Sequence, residues 1–364
     1  MSLLYNRVDR RLLKQRLMEE SFRRVTLSFY RYVILNDPQQ VRDRLFAQWH
    51  ALNCFGRIYV AYEGINAQMS IPEHHFEQFK AELYAWSEFA GVPFKIAVED
   101  DGKSFFKLAV KVREKIVADG LDDGAFDVTN VGNHLSAEDF NEAMEDPKAV
   151  VVDMRNHYES EVGHFEGAIC PDVDTFREEL PLVAELLQDK KDAKLLLYCT
   201  GGIRCEKASA YFRHLGFEDV NQLHGGIIEY ARQVKYKGLP NKFRGKNFVF
   251  DERLGERISD EIIAQCHQCG EPADTHVNCA NEACHLLFIQ CAACAVKYNH
   301  CCSEACQHVY KLPEAQQIAI RKGIRKEQNN IFRKGRYLES AGNILQKINA
   351  SDLLRQDKKP SGKS

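Results

Sequence analysis

The apolar run Leu195-Leu196-Leu197-Tyr198 ends at Cys199, and Thr200-Gly201-Gly202 then leads into Ile203-Arg204-Cys205-Glu206-Lys207-Ala208. This order reads as a buried strand, a tight glycine turn and the start of a helix. Glycines let backbone amides converge on the position of the Cys199 sulfur, the helix N-terminus adds positive potential, and Arg204 adds a full charge. All three favour the thiolate, the form in which cysteine is a nucleophile. A thiolate in such a nest can attack a sulfane sulfur, and the amides would then hold the resulting persulfide. Phosphatases that use a cysteine cradle place five residues between Cys and Arg, whereas four intervene here and Cys205 occupies the longer spacing. The shorter loop suits a smaller reacting atom than a phosphoryl group. The plain alternative for Cys199 is a buried cysteine at a strand end. Cys205 is open between burial and the role of a second, resolving thiol.

A second concentration of chemistry lies further on, where nine of the 13 cysteines fall between Cys266 and Cys306. Cys266-x-x-Cys269 and Cys291-x-x-Cys294 are knuckles of the kind that grip one face of a tetrahedral zinc ion, and Cys279, Cys284, Cys301, Cys302 and Cys306 supply further thiolates. Nine cysteines give two four-sulfur sites with one left over. The expected ligands are Cys266, Cys269, Cys279, Cys284, Cys291, Cys294, Cys301 and Cys306, with Cys302 competing with Cys301. His267, His276, His285 and His300 are alternative ligands, and an iron–sulfur cluster is the rival to structural zinc.

These residues need elements to position them. Val25 to Tyr30 reads as a strand, Asp37 to Leu52 as a helix opened by Asp37-Pro38, and Arg57–Tyr62 and Ile65–Ser70 as strands joined at Glu63-Gly64. A helix from Pro72 to about Trp86 and strands at Phe94–Val98 and Phe105–Val112 complete a β-α-β-β-α-β order, which predicts a ferredoxin-like α+β domain over residues 1–125. Asp119 to Val131 has no clear period and reads as a linker. Ala149–Asp153, Lys194–Tyr198 and Asp219–Leu223 are short apolar runs expected to be parallel strands, with a helix from Gly226 to about Lys237. They predict an α/β domain at 146–240 with Cys199 at the carboxyl end of a strand, where such sheets bind ligands. A cysteine-rich module is expected at 241–312 and a basic tail at 313–364.

At 364 residues the chain is long enough for two or three hydrophobic cores. A hydrophobic share of 45% with 28% charged residues excludes a disordered chain, and no apolar run reaches the length of a membrane span. The start, Met1 to Arg7, has no apolar signal segment, so cytoplasmic residence is expected. A net charge of −3 excludes a polyanion binder as a whole. From Gln307 to Ser364, however, 13 Lys/Arg face 5 Asp/Glu. Arg321-Lys322, Arg325-Lys326 and Arg333-Lys334-Gly335-Arg336 recur at roughly helical spacing, so this tail is a candidate contact for nucleic acid.

The loop resembles that of the rhodanese family. Asp153-Met154-Arg155 is similar to the Asp-x-Arg that closes the family's first strand, and Gly163-His164-Phe165-Glu166-Gly167-Ala168 resembles its Gly-His segment. Asp153, Arg155 and His164 are read as holding the loop, and Cys199 as the catalytic residue. With the N-terminal domain and the segment Gly245-Lys246-Asn247-Phe248-Val249-Phe250-Asp251-Glu252-Arg253, the chain resembles the bacterial tRNA uridine hydroxylases as far as about Pro313. That resemblance implies oxygen-dependent 5-hydroxylation of the wobble uridine, with tRNA as partner and molecular oxygen as co-substrate. There is no Gly-x-Gly-x-x-Gly fingerprint for a dinucleotide, so the redox cofactor is left open, as is the oligomeric state. Two other readings stand beside it: a sulfurtransferase forming a persulfide on Cys199, and a non-catalytic zinc-containing RNA adaptor.

Overall fold

A computed structural model of the chain describes residues 9–100, 102–121, 126–322 and 331–333. The basic pairs at 325–326 and 334–336 lie outside these residues. The chain divides into two compact units, Met1–Glu261 and Ile262–Ser364.

The first unit opens with helix α1 (Arg10–Glu19), then β1 (Arg24–Tyr32), α2 (Pro38–Ala51), β2 (Phe55–Ala61), β3 (Gly64–Pro72), α3 (Phe76–Tyr84), β4 (Lys95–Ile96) and β5 (Leu108–Val112). The sheet order is β4-β1-β3-β2-β5, antiparallel except where β5 lies parallel to β2. The first four strands in that order are the ferredoxin-like arrangement, with one strand added at the edge. Period-two patterning decides which face is covered. Leu27, Phe29, Ile58, Val60, Ile65, Ala67, Met69 and Ile71 pack with Trp49 of α2 and Phe79 of α3 into one core. The other face carries Ser28, Tyr30, Tyr32, Arg57, Tyr59, Asn66 and Gln68. Asp37 caps α2 by accepting from the Gln40 amide at 2.9 Å, with Pro38 at the first helical position.

The expected linker is not loose at its start. Asp119 is buried, and its carboxylate meets the ammonium groups of Lys115 and Lys207, each at 2.8 Å. The sequence gives no hint of this, because both cations reach Asp119 through folding.

The second layer system follows: β6 (Asn133–Leu135), α4 (Ala137–Ala143), β7 (Ala149–Asp153), α5 (His157–Ser160), β8 (Gly163–Phe165), α6 (Phe176–Leu186), β9 (Lys194–Tyr198), α7 (Ile203–His214), β10 (Asp219–Leu223), α8 (Gly226–Lys237), β11 (Phe243–Asn247) and β12 (Glu256–Arg257). Strands β6-β10-β9-β7 form a parallel sheet. The sheet therefore begins before residue 146, with a strand too short and too exposed to show as an apolar run. Strand β11 pairs antiparallel with β8, and the break between the two compact units falls after Glu261. Capping boxes start α4 at Ser136 and α6 at Thr175.

In the second unit, the hairpin of β13 (His276–Asn278) and β14 (Leu287–Ile289) is followed by α9 (Ala292–Lys297), α10 (Glu304–Tyr310) and α11 (Glu314–Lys322). Its main core consists of Cys279, Cys284, Leu286, Phe288, Cys301, Cys302, Cys306 and Val309. Five of those eight residues are cysteines, too little apolar surface to hold the unit without further cross-links. No helix among the described residues is long and apolar enough to cross a membrane.

Candidate active site and metal sites

Cys199 follows β9 directly, and the chain turns through Thr200-Gly201-Gly202 into α7. Gly202 takes a φ of +97° at the N-cap, a conformation that favours glycine. Its amide donates to the Cys199 sulfur at 3.1 Å. The turn is clamped from the far side by the start of α8. Gly226, at φ +67°, lies so close that a Cβ there would stand 2.5 Å from the Cys199 carbonyl oxygen and 2.7 Å from the Gly201 nitrogen. The Ile227 and Ile228 amides donate to the carbonyls of Cys199 and Thr200.

Cys199 is fully buried, which by itself would raise its pKa. The Cys205 thiol, the Arg204 charge and the amides of Cys205 and Arg204 outweigh that and bring it down to about 5. Cys205 is correspondingly held well above the ordinary thiol value by burial and by donating to Cys199. It is a hydrogen-bond donor to the thiolate rather than a second anion.

Arg204 does not float beside the sulfur. Its two terminal nitrogens grip the buried Glu159 carboxylate at 2.6 and 2.8 Å, and Nη2 also lies 3.3 Å from the Thr200 hydroxyl. Breaking such a pair from one side costs about 3–5 kcal/mol, because the remaining charge stays buried. Asn156 and Glu159 form the capping box that starts α5, so a local helix device delivers the partner of Arg204. Asp153 and Arg155 form a second buried pair at 2.6 Å, with the guanidinium also on the Gly163 carbonyl, and His164 faces the Ser160 carbonyl at 2.9 Å. These three hold β7, β8 and the intervening turn together. Glu179 of α6 is buried with neither carboxylate oxygen hydrogen-bonded, and burial raises its pKa well above the usual range despite Arg204.

The N-terminal sheet completes the site. The Tyr30 hydroxyl lies 3.1 Å from Glu206 and would be 2.8 Å from a Cβ on Gly202. The Lys95 ammonium sits 4.2 Å from the Tyr30 ring centre, and burial brings its pKa down to about 8 although Cys199 and Glu206 pull the other way. Glu206 also meets His134 at 3.0 Å and Gln222 at 3.2 Å. Lys207 is locked between Glu63 and Asp119, at 2.6 and 2.8 Å. Thr200, Gly201, Gly202, Ile203, Arg204 and Cys205 make up the turn and the first helical residues that follow Cys199. Glu159, Glu179, Tyr30, Lys95 and Glu206 were not singled out from the sequence. Only the Asn-x-x-Glu spacing at 156–159 and the charges directly after Arg204 offered a signal.

In the second unit two groups of cysteines have their sulfurs within 4.8 Å of one another: Cys266, Cys269, Cys291 and Cys294, and Cys279, Cys284, Cys302 and Cys306. The expected ligand Cys301 is replaced by its neighbour Cys302, whose sulfur lies 3.7 Å from Cys284 and 3.6 Å from Cys306. Cys301 is buried in the core beside it. None of the four histidines joins either group. Sulfurs at about 2.3 Å from one tetrahedral ion stand ~3.8 Å apart. The observed separations of 3.6–3.7 Å fit a single ion at each site. In an iron–sulfur cluster the four thiolates are divided among two or four irons, so sulfurs on different irons stand further apart.

Taken together, a parallel α/β sheet with a cysteine loop behind a ferredoxin-like domain defines a rhodanese-containing protein with a cysteine-rich extension that could hold metal. Comparison agrees region by region: a "UPF0176 acylphosphatase like domain" matches residues 24–116, a "Rhodanese-like domain" matches 136–233, and a "Rhodanase C-terminal" domain matches 244–307. A protein of Leptospira interrogans named tRNA uridine(34) hydroxylase is 59% identical over 92% of this chain and 90% of its own. Proteins of the same name from Cronobacter sakazakii and Escherichia fergusonii are 55% and 54% identical, over 92% of this chain and 96% of theirs. The chain belongs to the tRNA uridine(34) hydroxylase family.

Proposed function

We propose that this chain hydroxylates C5 of the wobble uridine of tRNA, with molecular oxygen as co-substrate and the Cys199 thiolate as the group that engages the base. The observation that carries this reading is a thiolate stabilised in a cationic, buried cradle within a chain more than half identical, along nine-tenths of its length, to proteins of that name. Addition of the sulfur to C6 of the ring places carbanion character on C5, the atom that must take oxygen. Transfer of oxygen, loss of the C5 proton and expulsion of the sulfur then restore the ring and the thiolate. One oxygen atom becomes the hydroxyl, and an external two-electron donor reduces the other to water.

In this reading Arg204 is a positioning residue, since its nitrogens serve Glu159 and its charge serves Cys199. Zinc is our assignment for both four-sulfur sites, where its role is to hold the second unit folded. The basic tail, residues 313–364, adds phosphate contacts, and the cytoplasm supplies the tRNA. The deciding experiment compares the nucleosides of tRNA from cells lacking the protein after complementation with the wild type or Cys199→Ala. Restoration of 5-hydroxyuridine and its derivatives by the wild type alone is expected. Restoration by Cys199→Ala would remove the thiolate from the chemistry. The cradle also suits a persulfide, and rapid sulfur transfer from thiosulfate to cyanide without any change in tRNA would favour the sulfurtransferase reading instead.

A further inference from the structure

The helix-free face of the N-terminal sheet is polar in an unusual way. Register places Tyr30, Asn66, Tyr59 and Lys111 in a single row across β1, β3, β2 and β5. Three strand spacings make that row about 14 Å long. One end is Tyr30, which bonds Glu206 and lies against the Cys199 loop. The other end opens on Arg57, Lys107, Lys111 and Arg113, all exposed. The strand positions of this face hold no Asp or Glu.

Sheet surfaces ordinarily set opposite charges across from one another, because like charges there are destabilising. Here Arg57 faces Gln68 and Ala109 and stands diagonal to Lys111, with no carboxylate at the facing positions. Partial burial and the charges of Arg113, Arg57 and Lys107 depress the Lys111 ammonium, and among the described residues no carboxylate offsets them. The Arg113 guanidinium lies 5.4 Å from the centre of the Tyr59 ring, so an aromatic plane stands among the cations. Clustered cations without counter-charges suit a polyanion, and an aromatic among them suits one whose bases are unstacked.

We infer that this sheet face is the docking surface for the single-stranded anticodon loop, with Tyr59 stacking on a base and Arg57, Lys107, Lys111 and Arg113 contacting phosphates while the target base reaches Cys199. The inference rests on the reading of the chain as a tRNA-modifying enzyme. Single-stranded loops are where proteins gain access to RNA bases, and aromatic side chains on a sheet are a recurrent means of holding them. The row's direction matters as much as its composition. It brings a bound strand past Tyr30 to the one loop that carries the nucleophile.

The test uses the full-length chain and an anticodon stem-loop RNA containing uridine at the wobble position. The triple variant R57A/K111A/R113A should bind more weakly, and the slope of log affinity against log salt should fall by about 2, at ~0.7 per single-strand phosphate. Tyr59→Ala should weaken binding to the stem-loop roughly 10-fold and leave binding to the stem duplex alone unchanged. An unchanged affinity and salt slope in a triple variant with wild-type thermal unfolding overturns the inference. Equal losses on stem-loop and duplex for Tyr59→Ala overturn it as well. If the wild type failed to restore 5-hydroxyuridine in cells while its RNA binding kept this dependence on the sheet, the activity would fall and the surface would stand.

Discussion

Cys199 pays the full cost of burial and still favours its anion, so the donors around it must exceed that cost. Its alkylation rate should therefore rise with a midpoint near 5, and a midpoint at or above about 8.5, the ordinary thiol value, would refute the electrostatic account. The same shift has a consequence for stability. The folded thiol deprotonates more readily than the unfolded one, so its contribution is full above the unfolded pKa and is lost as pH falls through about 5. Denaturant unfolding between pH 5 and 8.5 should show stability rising with pH, and Cys199→Ser should flatten that rise. Arg204→Lys keeps the charge but gives up the fork that spans both Glu159 oxygens. It should cost about 1.5–3 kcal/mol of unfolding free energy, the worth of a charged hydrogen bond, and a variant as stable as the wild type would show that the fork is dispensable.

At the scale of elements, the loop is an assembly of two helix starts, α7 and α8, pressed together where glycines leave no side chain between them. Gly226→Ala should disrupt it, since the added methyl has no free space and φ is positive. Loss of 5-hydroxyuridine formation together with a Cys199 alkylation midpoint returned toward the ordinary thiol value is expected. Normal values for both would mean that the clamp is not needed. The strand-turn-helix around Cys199 was legible in the sequence because every part of it is local: an apolar run, two glycines and a following arginine. Its partners were not. Glu159 lies 45 residues before Arg204, and Tyr30 lies 176 before Glu206. No periodicity in either segment specifies the other: packing within the α/β layers brings Glu159 to Arg204, and packing of the N-terminal sheet against those layers brings Tyr30 to Glu206. Strand β6 was missed for a different reason, since two exposed polar residues and a single leucine make no apolar run.

For the whole molecule, the two units owe their stability to different physics. The first has two large sheets with apolar cores, whereas the second builds its core around cysteines, which the proposed metal ions would cross-link. The knuckle spacing pointed to clustered sulfurs that could hold metal, but the choice between adjacent Cys301 and Cys302 depended on side-chain direction. A one-residue step turns a side chain by about 100° on a helix and to the other face on a strand, which spacing in a sequence does not resolve. Protein purified without added metal should hold two zinc ions per chain by elemental analysis. Cys301→Ser should retain both, because its sulfur is outside either four-sulfur group, while Cys302→Ser should lose the ion shared with Cys279, Cys284 and Cys306. The site built on Cys266, Cys269, Cys291 and Cys294 should stay loaded in both variants. Iron with labile sulfide would refute the zinc assignment, and one ion lost from Cys301→Ser with none from Cys302→Ser would reverse the choice of ligand.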